Sequence, residues 1–147
     1  MLQRKIEEVR QLLPLTEDRV EQFEELVSDI VGIGGRDAAR ELLLLLDDSC
    51  DLGGVMQGVA ITLQSFELRD LVQAFLDTLE STSKRAPQSL RDVLRWILSS
   101  DNGRTLLKDA VPAIDEGTAS KLRELLERVG QFSTYAERSK EVLDKLR

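Results

Sequence analysis

The sequence contains no histidine, and its 147 residues include a single cysteine, Cys50. Without histidine the chain cannot build a Ser-His or Cys-His catalytic pair, nor a metal site that uses imidazole. A lone cysteine cannot form a disulfide within the chain, so we expect Cys50 to be a small packing or loop residue. These absences exclude two broad classes of catalytic and metal site.

Aromatic residues make up only 4% of the chain, and no apolar run is longer than residues 42–46. A membrane-spanning helix needs about 20 predominantly apolar residues, so we expect no membrane protein. The first residues, MLQRKIEEVRQLL, mix charges of both signs and lack an apolar segment followed by a small-residue cleavage site. We therefore expect no secretory signal and a cytoplasmic location.

Leucine is abundant, and apolar residues recur at helical spacing along the whole chain. No segment keeps the alternation of a half-buried strand, so the pattern predicts an all-α fold with an aliphatic core. We expect one helical domain over residues 1–147, with an N-terminal helical pair (1–31), a core of helical hairpins (36–129) and a terminal helix (134–147). Gly32 is predicted to end the second helix. Asp115 is predicted to cap the helix that begins directly after Asp115.

The spacing of the helices suggests how they pack. Helices that begin near Asp37, Leu68 and Asn102 each start an antiparallel pair, and these starts lie 31 and then 34 residues apart. Such periods are typical of helical hairpins stacked as an α-solenoid. We predict a short HEAT-like solenoid of about eight or nine helices, with a non-repeating helical bundle as the alternative. Trp96 lies off the apolar stripe of its helix, so it either packs against a neighbouring hairpin or is exposed for a partner, and we favour packing.

The negative charge is concentrated in one part of the chain. Between Glu41 and Glu80, eight acidic residues accompany the single base Arg69, so this segment contains the whole net charge of −7. An acidic protein is poorly suited to nucleic acid, whereas a patch of one sign can steer a basic partner. The residues predicted to bind a partner are Asp47, Asp48, Asp51, Glu67, Asp70, Asp77 and Glu80.

The segment LLLLLDDSCD, residues 42–51, also matches the DDxxD pattern with which isoprenoid enzymes hold Mg²⁺ and a diphosphate. Those enzymes need a large apolar cavity and usually a second acidic motif, and this chain is too short for the first and lacks the second. Glycines 53 and 54 indicate a helix boundary beside the aspartates. We therefore interpret the segment as a core helix that ends in an acidic loop, and we expect no catalytic residues, metal or cofactor.

The order of these features resembles the immunity protein 30 family of bacterial polymorphic toxin and contact-dependent inhibition systems. The resemblance covers residues 23–129. It depends on LLLLLDDSCD, on GVMQGVAITLQSFE (54–67), on RAPQSLRDVLRWILSSDNGRTLL (85–107) and on KLRELLERV (121–129).

The resemblance implies a small cytoplasmic helical protein that binds and neutralises one cognate toxin. Many such toxins are nucleases with basic clefts, which an acidic patch could cover. The alternatives are a helical-repeat adaptor that binds another protein and, less favoured, a Mg²⁺-dependent enzyme that uses the DDxxD segment. The sequence leaves the toxin's chemistry, the binding face and the oligomeric state open.

Overall fold

The computed structural model describes residues 1–50, 52 and 54–146, and within them every regular element is helical, as predicted. Short 3₁₀ turns follow or precede several of the helices. The nine α-helices in this part of the chain are α1 (Leu2–Gln11), α2 (Val20–Ile33), α3 (Gly35–Leu45), α4 (Val55–Thr62), α5 (Leu68–Thr82), α6 (Pro87–Leu98), α7 (Asp101–Ala110), α8 (Glu116–Val129) and α9 (Ala136–Leu143).

The helices form two layers, because helices two apart in the chain pack against each other. In one layer α3 packs on α5, α5 on α7, and α7 on α9. In the other layer α2 packs on α4, α4 on α6, and α6 on α8. We call these the odd and the even layer. This arrangement is that of stacked helical hairpins, in which each pair buries its apolar face against the next.

Helix α5 lies at the centre of the packing, since it contacts α3, α6, α7 and α8. Phe75 on this helix is completely buried. The hydroxyls of Thr78 and Thr82 are also buried, and they donate to backbone carbonyls one turn earlier, at 2.9 Å to Ala74 O and 2.8 Å to Thr78 O. These bonds satisfy the only polar atoms of the two side chains, so α5 can be buried on most of its circumference.

The junction between α2 and α3 differs from the prediction. Gly32 lies inside α2, which continues to Ile33, and a single residue, Gly34, separates the two helices. Gly34 has φ of 72°, a backbone conformation that L side chains rarely adopt. The prediction that Gly32 ends the helix was therefore wrong by two residues, because the stop is set by the glycine that accepts the positive φ.

Among the helices described above, none combines the length and the apolar character that crossing a membrane requires.

Candidate protein-binding surface

The leucine run of LLLLLDDSCD builds the core. Leu42, Leu43 and Leu46 are fully buried, and the two leucines between them are half-buried. Helix α3 ends at Leu45, and Leu46 is already extended. The aspartates therefore begin an exposed turn directly after a buried helix, as the sequence predicted.

Asp47 stabilises this turn. Its carboxylate accepts hydrogen bonds from the hydroxyl of Ser49 at 2.6 Å and from the backbone N–H of Ser49 at 2.9 Å. Both bonds hold the pKa of Asp47 below its usual value because they favour the ionised form, and the bond from the Ser49 hydroxyl has the larger effect. Asp47 is thus a turn-forming residue that stays charged.

Asp48 caps a helix that is distant in the sequence. Helix α6 begins at Pro87, and its N-cap residue, Ala86, has no side-chain oxygen. The Asp48 carboxylate takes that place by accepting hydrogen bonds from the N–H of Gln88 at 2.7 Å, the N–H of Ser89 at 3.1 Å and the hydroxyl of Ser89 at 2.7 Å. An anion at this end is also favoured by the helix dipole.

Arg85, in the loop before α6, makes the reciprocal contact. Its guanidinium donates to the carbonyl oxygen of Leu44 at 2.6 Å and to that of Leu46 at 2.9 Å, which satisfies acceptors left free at the end of α3. The N–H of Asp48 also donates to the carbonyl of Arg85 at 3.1 Å. We call Asp48, Arg85 and the backbone groups that they bind the α3–α6 junction.

The third aspartate of the motif, Asp51, lies outside the described residues. No group of three or more His, Cys, Asp or Glu side chains that could hold a metal ion occurs in residues 1–50, 52 and 54–146. Cys50 is half-buried and packs against the core, in keeping with a packing role.

The four predicted residues of α5 lie at its two ends. Glu67 is the exposed N-cap residue and Asp70 is in the first turn, whereas Asp77 and Glu80 lie near the C-terminal end. At 1.5 Å per residue, Glu67 and Glu80 are separated by about 20 Å along the helix. The predicted acidic residues therefore form separate groups rather than one continuous patch.

Asp77 and Glu80 line a cleft of 510 Å³ together with Asp109 and Asp115. We call these four carboxylates the acidic cleft. Arg36 at the start of α3 also lines it. Its guanidinium lies 2.6 Å and 2.8 Å from the Asp77 carboxylate. The cleft thus holds four acidic side chains and one basic side chain, so it is negative overall.

Two of these carboxylates also interact with the start of α8. Asp115 is its N-cap residue, as predicted, and accepts a hydrogen bond from the N–H of Thr118 at 2.8 Å. That bond is the main cause that lowers the pKa of Asp115. The Thr118 hydroxyl donates to Glu80 at 3.1 Å.

The sequence did not indicate Asp109 and Asp115 as partners of Asp77 and Glu80. They lie outside the acidic segment and become neighbours only because α7 and the start of α8 fold against α5. Trp96 is 39% exposed and is one of the exposed large apolar side chains, so the prediction that it packs against a neighbouring hairpin was wrong.

Comparison with protein families finds a match over a large part of the chain. The family described as Immunity protein 30 matches residues 9–107, which is about two thirds of the chain. The chain belongs to the immunity protein 30 family. Comparison with curated proteins and with solved structures found no match.

Membership of the immunity protein 30 family indicates an immunity protein, and therefore a protein toxin as its partner. The matched residues include the α3–α6 junction and helices α2 to α6. Asp109 and Asp115 lie beyond the match, so half of the acidic cleft comes from the part of the chain that the family does not cover.

Proposed function

We propose that this protein binds a cognate bacterial toxin domain in a stoichiometric complex and thereby neutralises it. The observation that supports this most strongly is the match to the immunity protein 30 family over residues 9–107. The layered helices also support it, because stacked hairpins present broad surfaces to a protein partner.

We further propose that the toxin domain is basic, as a nuclease would be, and that the acidic residues steer it toward this protein. Electrostatic steering acts over roughly one Debye length, about 8–10 Å, so the acidic groups need not form one continuous patch. Asp77 and Glu80 are the strongest candidates because they share a cleft with Asp109 and Asp115. Asp47, Glu67, Asp70 and, outside the described residues, Asp51 contribute to the same field.

Asp48 has a different place in this proposal. Its carboxylate accepts hydrogen bonds from the first turn of α6, so its main contribution is to the fold. We keep it among the acidic groups only for its long-range field.

The proposed function is tested with the toxin domain encoded by the gene beside that of this protein. We expect co-expression to rescue bacterial growth and size-exclusion chromatography with light scattering to give a 1:1 complex. Failure of both, with the toxin domain itself active, would contradict the function. Binding to an unrelated host protein instead would support the helical-repeat adaptor.

Steering is tested separately with the triple variant Asp77→Asn, Glu80→Gln and Asp109→Asn. We expect the association rate constant to fall about ten-fold at low salt and to depend less on salt, because steering contributes roughly 10–1,000-fold. The control is a second triple variant that changes the net charge by the same amount at exposed positions outside the cleft: Glu7→Gln, Glu127→Gln and Glu137→Gln. Equal effects of the two triple variants would show that the cleft has no special part.

A further inference from the structure

Residues 52–66 contain no charged side chain, although charged residues make up 32% of the chain. This segment includes α4 and the turn after it, which belong to the even layer. The exposed side chains in the described part of this segment are Gln57, Ile61, Gln64 and Ser65. An uncharged strip on the surface of so charged a protein is the composition expected at the centre of a protein interface, where charged residues are depleted.

Two large apolar side chains are exposed at this strip. Ile61 of α4 is 56% exposed and Trp96 of α6 is 39% exposed, and both line a groove of 220 Å³ between the two helices. Trp96 is thus partly covered by its neighbours and partly open to solvent. Tryptophan is among the residue types that most often dominate the binding energy of protein complexes.

A second aromatic ring lies beside α6. The guanidinium of Arg95, the neighbour of Trp96, lies 4.7 Å from the centre of the Phe132 ring, and Phe132 is 52% exposed. Arg95 is also paired with Asp92 at 3.0 Å, which fixes its position from both sides. Tryptophan, phenylalanine and arginine are all enriched in interfaces relative to the rest of a protein surface.

The other side of α4 has an acidic border. A groove of 350 Å³ separates α4 from α2, and Glu24 lines it beside the small residues Gly58 and Thr62. Every charged residue of α2 is acidic, but Asp29 is paired with Lys5 of α1 at 3.1 Å, so the acidic border consists of Glu21, Glu24 and Glu25. We call the surface made by Ile61, Trp96, these two grooves and the acidic border the α4 face.

We propose that the α4 face is the surface on which the toxin domain docks, and that it receives an apolar side chain flanked by basic side chains. This inference rests on the proposed function and identifies the contact that it uses. The acidic border selects the partner by charge complementarity. A second copy of this chain fits less well, because it would bring another acidic α2 and another net charge of −7 to the same place.

Substitutions on the α4 face and in the acidic cleft should change different rate constants of binding. Charges at a distance change mainly the association rate, whereas side chains packed into an interface change mainly the dissociation rate. Ile61 and Trp96 should therefore control how long the complex lasts, while the acidic cleft controls how quickly it forms.

The test uses a catalytically inactive form of the toxin domain encoded beside this protein, with binding followed by surface plasmon resonance. We expect Trp96→Ala and Ile61→Lys each to raise the dissociation rate constant at least about ten-fold, as truncation of an interface hot spot does. Ile61 is more than half exposed, so Ile61→Lys keeps the fold even where Trp96→Ala weakens it. Circular dichroism is used to check that both variants are folded.

Leu13→Lys is the matched control, because Leu13 is 38% exposed and lies in the connection between α1 and α2. If the wild type binds 1:1 but Leu13→Lys and Ile61→Lys change the dissociation rate constant equally, the α4 face is not the docking surface. The proposed function is then unaffected. A wild-type protein that binds no toxin overturns both. A dimer of this chain that Ile61→Lys dissociates would identify a second copy as the occupant and overturn the docking of the toxin.

Discussion

Asp48→Ala should destabilise the protein although the side chain is exposed, because it removes the cap of α6. The carboxylate accepts two backbone N–H bonds and one hydroxyl bond there. An N-cap oxygen contributes about 1 kcal/mol, and the attraction of an anion to the helix dipole roughly 0.3–1 kcal/mol. We expect the free energy of unfolding, measured by urea denaturation, to fall by about 1.5 kcal/mol. The thermal midpoint should fall by about 3–6 °C, at roughly 2–4 °C per kcal/mol for a chain of this size.

Two further variants separate the cap from the loss of a charge. Asp48→Asn keeps one capping oxygen, which can still accept from Ser89, but its NH2 group would face the N–H of Gln88 and the negative charge is lost, so it should cost less than Asp48→Ala without matching the wild type. Glu67→Ala removes a carboxylate from the start of α5, where it makes no capping bond, and should change the stability by less than about 0.5 kcal/mol. The reasoning is refuted if Asp48→Ala is as stable as the wild type, or if alanine and asparagine cost the same.

Three further predictions concern packing and pH. Gly103→Ala should lower the free energy of unfolding, measured by urea denaturation, by about 1–3 kcal/mol, because the added Cβ would overlap the backbone carbonyl of Ile97. Gly117→Ala should change it by no more than about 1 kcal/mol, because there only the end of the flexible Glu80 side chain must move. The folded-state pKa of Asp115 is lowered, so its contribution is present above the unfolded-state pKa of about 3.9 and is lost as the pH falls through the folded-state value. Asp115→Asn should therefore flatten the fall of the thermal midpoint below about pH 4, and an unchanged slope would contradict this. Phe75→Ala should cost about 3–5 kcal/mol by thermal or urea unfolding, since the ring is completely buried on the central helix, and a loss under 1 kcal/mol would contradict that placement.

The sequence predicted the helices well because their signals are local. The all-α fold and the Asp115 cap are confirmed, and both depend on residues within a few turns of one another. The prediction that α2 ends at Gly32 was wrong because several glycines occur together, and only the backbone φ angle shows which of them ends the helix. The HEAT-like assignment and the division into 1–31, 36–129 and 134–147 stay predictions.

The candidate site was less accessible from sequence because its contacts join distant residues. Asp48 and Arg85 both look like ordinary surface charges, and their roles at the α3–α6 junction appear only when α3 and α6 are side by side. A count of charges along the chain located the acidic segment. It could not show that the acidic residues of α5 lie at opposite ends of the helix, or that Asp109 and Asp77 line the same cleft. The exposure of Ile61 and Trp96 likewise depends on how α4 and α6 pack, because both side chains line the groove between these helices.

The α3–α6 junction has a consequence for cooperativity. It ties the C-terminal end of α3 to the N-terminal end of α6, so the opening of one helix end removes the hydrogen bonds that cap the other. In stacked-hairpin proteins such coupling between neighbours makes the array unfold as a unit. The junction lies apart from the outward side chains of α4, so substitutions on the α4 face leave this coupling in place. A protein built in this way can acquire a new partner by changing a few exposed residues while its folding stays the same.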